Sequence, residues 1–387
     1  MNNIKLDFPI LDKKIRDKAI TYLDSAASTQ KPKQVINSIS EFLENSYENV
    51  HRGMNSLSID ATDLYEKSRD VAKNFINSNS TNEIIFTRGA TDSINIIANS
   101  LAEHLKEGDK IVVTELEHHS NYLPWMNLCK KLGLELKIIP ISKDGILSED
   151  DIINNCDDST KVLSLTHMSN VTGQILDIKK IKKSINKDTY VAVDGCQSIA
   201  HLKIDVKDLD CDFYSFSSHK LYGPSGIGIM YGKEDILNKL NPPTLGGGMI
   251  NEVSSNDFSY AMLPNKFEPG TPSIEAAIGF KTAMEYLNNN NYQDYFLNEK
   301  KLRSTLIKAL REFKEVDIYG SNEDGNATSI VSFNIKNQNF NDIATFLDQY
   351  GIMIRGGHHC CQPFMKKLGI PGSCRVSFGI YNDLNDI

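Results

Sequence analysis

A chain of 387 residues is too long for one ordinary core and, at roughly 150 residues per unit, divides into two or three. Its 40% apolar and 24% charged residues are a globular composition, which excludes a disordered or fibrous protein. A formal net charge of −8 argues against nucleic acid or an anionic membrane as partner, since capture by either needs clustered positive charge.

In chain order, residues 1–21 interleave Lys, Asp and Arg with apolar positions and so hold no signal-peptide core. No 18-residue apolar span follows, and the expected location is the cytoplasm. Residues 32–45 and 60–77 read as helices, Pro32 standing near a favoured first-turn position. From 83 to 232, short apolar runs alternate with amphipathic stretches, the pattern of βαβ units around a mainly parallel sheet. Expected strands are 83–86, 110–114, 135–141, 161–166, 190–193, 212–216 and 227–231. Within 91–105, Ile94, Ile97, Ala98, Leu101 and Leu105 recur at helical spacing and give one apolar face to cover that sheet. After Gly270 the rhythm changes to a helix at 275–286, a strand at 329–335, a helix at 341–350 and strands near 352–354 and 375–378, an α+β arrangement. The Gly-, Pro-, Asn- and Ser-rich stretches 241–255 and 322–326 read as loops. Seven cysteines without the spacing of a secreted scaffold are expected to be reduced, with Cys129, Cys156, Cys196 and Cys211 as small hydrophobes in apolar or mixed surroundings.

Four strand ends carry chemistry. Asp194 closes the run at 190–193, and Lys220 follows the run at 212–216 before a turn containing Gly223, Gly226 and Gly228. A lysine for an imine and a carboxylate for a ring nitrogen are what a pyridine aldehyde cofactor requires. Arg88-Gly89-Ala90-Thr91-Asp92 joins a strand to a helix, where backbone N–H groups and the Thr91 hydroxyl suit a phosphate. Glu117-His118-His119 follows another strand, where an imidazole has a place over a cofactor ring. Each also has an ordinary reading, as a helix cap, a solvated lysine or a loop histidine.

Together these segments resemble a known family. The motifs are YLDSAAS at 22–28, NVHRG at 49–53, RGATDSIN at 88–95, EHHSN at 117–121, SNVTG at 169–173 and VDGCQS at 193–198. They continue with DCDFYSFSSHKLYGPSGIG at 210–228, FEPGTP at 267–272, RGGHHCCQP at 355–363 and CRVSFGIYN at 374–382. The chain resembles the Suf-type (group II) cysteine desulfurases, pyridoxal 5′-phosphate enzymes of the class V aminotransferase fold, over nearly its whole length. The resemblance implies an α/β protein of fold type I: a large cofactor-binding domain, 20–275, around a seven-stranded sheet, and a small α+β domain, 1–19 and 276–387, carrying the catalytic cysteine loop. It implies that Lys220 forms the cofactor imine, Asp194 pairs with the ring nitrogen, Gln197 bonds the phenolic oxygen and His118 stacks on the ring. Ala90, Thr91, Ser217 and His219 would bind the phosphate, with Thr271 supplied by the other subunit of a homodimer. Asn170 and Arg375 would hold L-cysteine, Arg375 by its carboxylate; Arg355, His51 and Arg52 match positions near the sulfur end. Cys360, as a thiolate, would take the sulfur as a persulfide, leaving alanine, and pass it to an acceptor protein of the Suf system for iron–sulfur cluster assembly.

A selenocysteine lyase of the same fold shares the cofactor residues, and a sulfur-relay module with little turnover without its acceptor is a reading of another class. A metal site in His358-His359-Cys360-Cys361 is disfavoured, because consecutive ligands cannot easily wrap one tetrahedral ion. Two departures from the family stand out. Cys361 occupies a position where relatives usually carry Ala, so a second thiol has the chance to compete with Cys360 or receive sulfur from it. The sequence ends at Ile387 where relatives generally continue through a helix, which carries the expectation of weaker packing around Arg375.

Overall fold

The computed structural model describes residues 4–320 and 326–387. Seven strands form the main sheet: β1 (Ile84–Thr87), β2 (Lys110–Thr114), β3 (Glu135–Ile139), β4 (Thr160–Thr166), β5 (Tyr190–Asp194), β6 (Phe213–Ser217) and β7 (Gly228–Gly232). Their spatial order is β1-β7-β6-β5-β4-β2-β3. All neighbours pair parallel except β7, which runs antiparallel to both β1 and β6. The α/β class and the seven expected strands are observed, with bounds displaced by a residue or two.

Alternation places side chains on both faces. Val112, Val191, Val193, Tyr214 and Phe216 enter one core, while Ile111, Val113, Ala192 and Phe213 enter the other. Helices α1 (Lys33–Asn45), α2 (Ser56–Phe75), α3 (Ala90–Leu101) and α4 (His119–Leu132) lie among the first strands in sequence. Pro32 is the N-cap of α1 rather than a first-turn residue, and α2 begins four residues before its expected start because the Asn55 side chain caps Ser58 N.

Beyond Gly270 come α5 (Ile274–Asn289) and α6 (Tyr292–Leu310). Then β8 (Val316–Tyr319), β9 (Ile330–Ile335), β10 (Arg355–Gly357) and β11 (Ser373–Ser377) make an antiparallel sheet in the order β8-β9-β11-β10, with α7 (Phe340–Asp348) and α8 (Gln362–Leu368) beside its strands in sequence. Leu302, Phe333, Val376 and Phe378 form a separate cluster there. Leu23 joins it from the far end of the chain, since Thr21–Tyr22 pairs parallel with Ile352–Met353.

The stretch 241–255 is not all loop: Ile250–Val253 pairs with Phe258–Tyr260 in a hairpin that is mostly exposed, and so has no apolar alternation to mark it. The expected loop at 322–326 lies, apart from Asn326, outside the described residues, as do the first three residues of the expected small domain. No described helix is long and apolar enough to cross a membrane.

Leu163, in mid-sheet on β4, is fully buried. Leu163→Ala should lower unfolding free energy by about 2–5 kcal/mol in chemical denaturation, as core truncations of this kind do.

Candidate active site

One cleft of about 230 Å³ opens at the C-terminal ends of the parallel strands. Its lining includes Ala90 and Thr91 from the start of α3, His118 from the end of the β2 connection, Asp194 and Gln197 after β5, and Ser217, His219 and Lys220 after β6. The second sheet adds Arg355 and Arg375, the loop after β4 adds Asn170, and the turn before α8 adds Cys360. Of the expected site residues, the single chain does not bring His51, Arg52 and Thr271 to this cleft. All three line another cavity with Gly247 and Gly248. His51 Nε2 meets Glu66 Oε1 at 2.8 Å, and its ring approaches Tyr65 edge-on.

At one end of the cleft, Gly89 has φ 144°, a region open to glycine, and packs backbone to backbone on β7: a Cβ on Gly228 would lie 2.6 Å from Gly89 Cα. This draws the N-terminus of α3 onto β6, where Ala90 N donates to Ser217 Oγ at 2.8 Å. Thr91 and Ser120 hydroxyls meet at 2.7 Å. Helix dipole, hydroxyls and the adjacent His219 make a cradle for an anion.

Asp194 is buried, its Oδ1 accepting from Cys196 N at 2.9 Å, and burial raises its carboxyl above the usual range. A cationic ring nitrogen is the partner that would keep it ionised. His118 caps α4: its Nδ1 accepts Ser120 N at 3.1 Å, so the neutral ring carries its proton on Nε2. Burial, then the Lys220 charge, lowers this imidazole to about 3. Gln197 Nε2 donates to Ala26 O at 2.9 Å. Asn170 is engaged twice: its Nδ2 donates to His359 O at 2.7 Å, and its carbonyl accepts Arg375 Nη1 at 2.9 Å. Asp24 accepts Arg375 Nη2 at 2.9 Å, a contact absent from the sequence reading although Asp24 lies inside the YLDSAAS motif. Arg375 is enclosed, 2% exposed, so the expected loosening around it is not observed.

The cysteine loop is strained. His359 and Cys360 both have positive φ, 52° and 54°, which non-glycine residues adopt only when held. Asn170 grips the His359 carbonyl and His119 N donates to Cys360 O at 2.7 Å. Cys360 is half-buried on the cleft wall. Cys361 faces the other way, its buried Sγ 3.3 Å from Glu117 O, and burial pushes its thiol far up. It is an internal residue, whereas Cys360 lines the cleft. Cys196, expected among the small hydrophobes, is half-buried on the cleft wall, its thiol pushed up to about 12 by burial and by Asp194. Among the described residues no group of three or more His, Cys, Asp or Glu is placed to hold a metal ion.

The class-V aminotransferase family model matches residues 21–387. The chain belongs to that family. It is 44% identical to a probable cysteine desulfurase of Staphylococcus epidermidis over 383 residues, 98% of this chain and 92% of the relative. Among solved structures, the apo cysteine desulfurase of Thermococcus onnurineus NA1 superposes with TM-score 0.94 at 37% identity, covering 99% of this chain and 94% of that one. The cysteine desulfurase CsdA of Escherichia coli superposes with TM-score 0.91 at 34% identity, covering 100% and 96%. The family's cofactor is pyridoxal phosphate, and the residues present fit it: an anion cradle, a buried carboxylate raised by burial, a neutral imidazole and a lysine share one cleft.

Two predictions follow from the electrostatics. With limiting iodoacetamide at pH 8, peptide mapping should find Cys360 alkylated well before Cys361, because the thiolate is the reacting species and Cys361 stays protonated. Glu117 is fully enclosed among Thr114, Asn121 and the strand end, and burial raises its carboxyl to about 8. The folded state therefore keeps this proton after an unfolded Glu, near pH 4.3, has lost it; stability falls as pH rises between those values, by up to about 1.4 kcal/mol per pH unit. Denaturation across pH 5 to 8 should show that fall, and Glu117→Gln should flatten it.

Proposed function

We propose that the protein is a pyridoxal-phosphate cysteine desulfurase, converting L-cysteine to L-alanine and holding the sulfur as a persulfide on Cys360. The observation that carries this reading is the convergence of Lys220, Asp194 and Cys360 on one cleft, in a chain 44% identical to a probable cysteine desulfurase. The bound cofactor would supply an aldehyde for condensation with amines and a protonated pyridine ring that draws electrons from the substrate α-carbon.

The chain's own residues do the rest. Ser217, Thr91, His219 and the first turn of α3 would hold the phosphate, and Asp194 would offer its carboxylate to the ring nitrogen. Gln197 stands for the phenolic oxygen and His118 for the ring face. Arg375, oriented by Asp24 and Asn170, takes the substrate carboxylate. The Lys220 amine would hold the cofactor's aldehyde and, when free of it, would take the substrate α-proton. Cys360 Sγ, as thiolate, attacks the substrate sulfur. The new S–S bond forms as the C–S bond breaks, and the electron pair of that bond stays with the carbon skeleton, which takes one proton at the β-carbon, regains the α-proton from Lys220 and departs as alanine.

A homodimer is part of the proposal. Met54, two residues after Arg52, and Met262, nine before Thr271, are 98 and 82% exposed, apolar side chains that a second copy would cover. A second copy packed there would bring its own Thr271 to the phosphate cradle and its His51 and Arg52 to the sulfur end. The division into a large domain at 20–275 and a small one from 1–19 and 276–387, a cytoplasmic setting and delivery of sulfur to a Suf-system acceptor for iron–sulfur assembly rest on the family resemblance of the motifs.

Measured as alanine released from L-cysteine with a reductant, Lys220→Ala should lose activity by about 10²–10⁴-fold together with the cofactor's imine absorbance. Cys360→Ala should keep the absorbance and lose alanine formation. Alanine formation that survives Cys360→Ala would contradict the persulfide route.

A further inference from the structure

The main-chain carbonyl immediately before Lys220 is held by four donors. His219 O accepts Thr29 N at 3.0 Å, Thr29 Oγ1 at 3.0 Å, Ser28 Oγ at 3.2 Å and the Lys31 ammonium at 3.0 Å. A carbonyl oxygen has two lone pairs, so this is more than hydrogen-bond satisfaction demands. On the other side of Lys220, Tyr222 N donates to Thr29 Oγ1 at 2.7 Å. Residues 28–31 therefore grip the turn on both flanks of the lysine.

Lys31 is unusual in its own right. Its ammonium donates to Thr29 O at 2.6 Å and to His219 O, and its bonds are to carbonyl oxygens rather than to a carboxylate. Burial lowers it to about 8. The same segment reaches back along the cleft. Ala26 and Ala27 line it, Ala26 N donates to Ser377 Oγ at 2.9 Å, and Asp24 holds Arg375. One continuous stretch, 24–31, thus ties the proposed carboxylate clamp to the proposed imine lysine.

We infer that Lys31, with Ser28 and Thr29, is a positioning residue for Lys220: it fixes the lysine's main chain so that the amine, once released, returns to the same point of the cleft in each turnover. The inference rests on the assignment of Lys220 as the imine lysine. A fixed anchor matters here because a displacement of about 1 Å at a reacting group can cost a hundredfold in rate.

The test compares Lys31→Met, Lys31→Arg and Thr29→Val with the wild type, each as the full chain loaded with pyridoxal phosphate. Lys31→Met should lower kcat by about ten- to a hundredfold with KM for L-cysteine nearly unchanged, and should shift the pH midpoint of the cofactor's visible absorbance. Lys31→Arg, which keeps the cation, should restore most of both, and Thr29→Val should move them in the direction of Lys31→Met. Amide exchange of the peptide containing 219–222 should quicken in Lys31→Met and Thr29→Val. A Lys31→Met enzyme with wild-type kcat and absorbance midpoint, or an Arg variant as impaired as the Met variant, would overturn the inference. A loaded Lys220→Ala that keeps the wild-type absorbance would instead refute the assignment of Lys220, while quickened exchange in Lys31→Met would still establish the grip on the turn.

Discussion

Both faces of the parallel sheet are buried, and this constraint decides where chemistry can occur. Strands such as β2 and β5 give alternate side chains to two different cores, leaving only their ends for polar groups. The parallel strands present the same end to one edge, so the residues that follow β2, β4, β5 and β6 meet in one cleft although they are far apart in sequence. A buried carboxylate at Asp194 would be destabilising at an ordinary strand end; here it lines the cleft beside Lys220, whose charge favours its ionised form.

The second constraint is the join between the two sheets. The Cys360 turn adopts backbone angles that cost free energy, and it is held to the main sheet by the His119 and Asn170 bonds and by the inward-pointing Cys361 thiol. From the other direction the N-terminal stretch enters the second sheet's core at Leu23, pairs Asp24 with Arg375 and ends on the carbonyl before Lys220. Two crossings therefore fix the proposed sulfur acceptor and substrate clamp against the proposed cofactor residues.

How much of this was legible in the sequence follows from burial. The seven main strands read clearly because a strand buried on both faces is a short apolar run, and their ends pointed to Asp194, Lys220, Thr91 and His118. Helix α6 escaped because its inner face carries charged residues: Glu299 bonds His201, and Arg303 donates to Ile330 O. Strand β10, Arg-Gly-Gly, carries no apolar pattern at all. The orientation of Cys361 was hidden because two adjacent thiols are alike in sequence and differ only in which wall they face. His51 and Arg52 matched a local motif, but a local motif holds no information on whether its residues serve their own chain's cleft or another's. The grip of residues 28–31 on His219 O joins segments about 190 positions apart and has no local signature.

The central claim is that substrate sulfur passes to Cys360 and to no other cysteine of this chain. Its most direct test is peptide mapping by mass spectrometry after the cofactor-loaded protein has turned over L-cysteine carrying a heavy sulfur isotope, with alanine quantified in the same sample. The account predicts heavy sulfur on Cys360 in a one-to-one ratio to the first alanine formed, with Cys361 and Cys196 unlabelled. Label on Cys361 or Cys196, or alanine formed with no label on any cysteine, would contradict it.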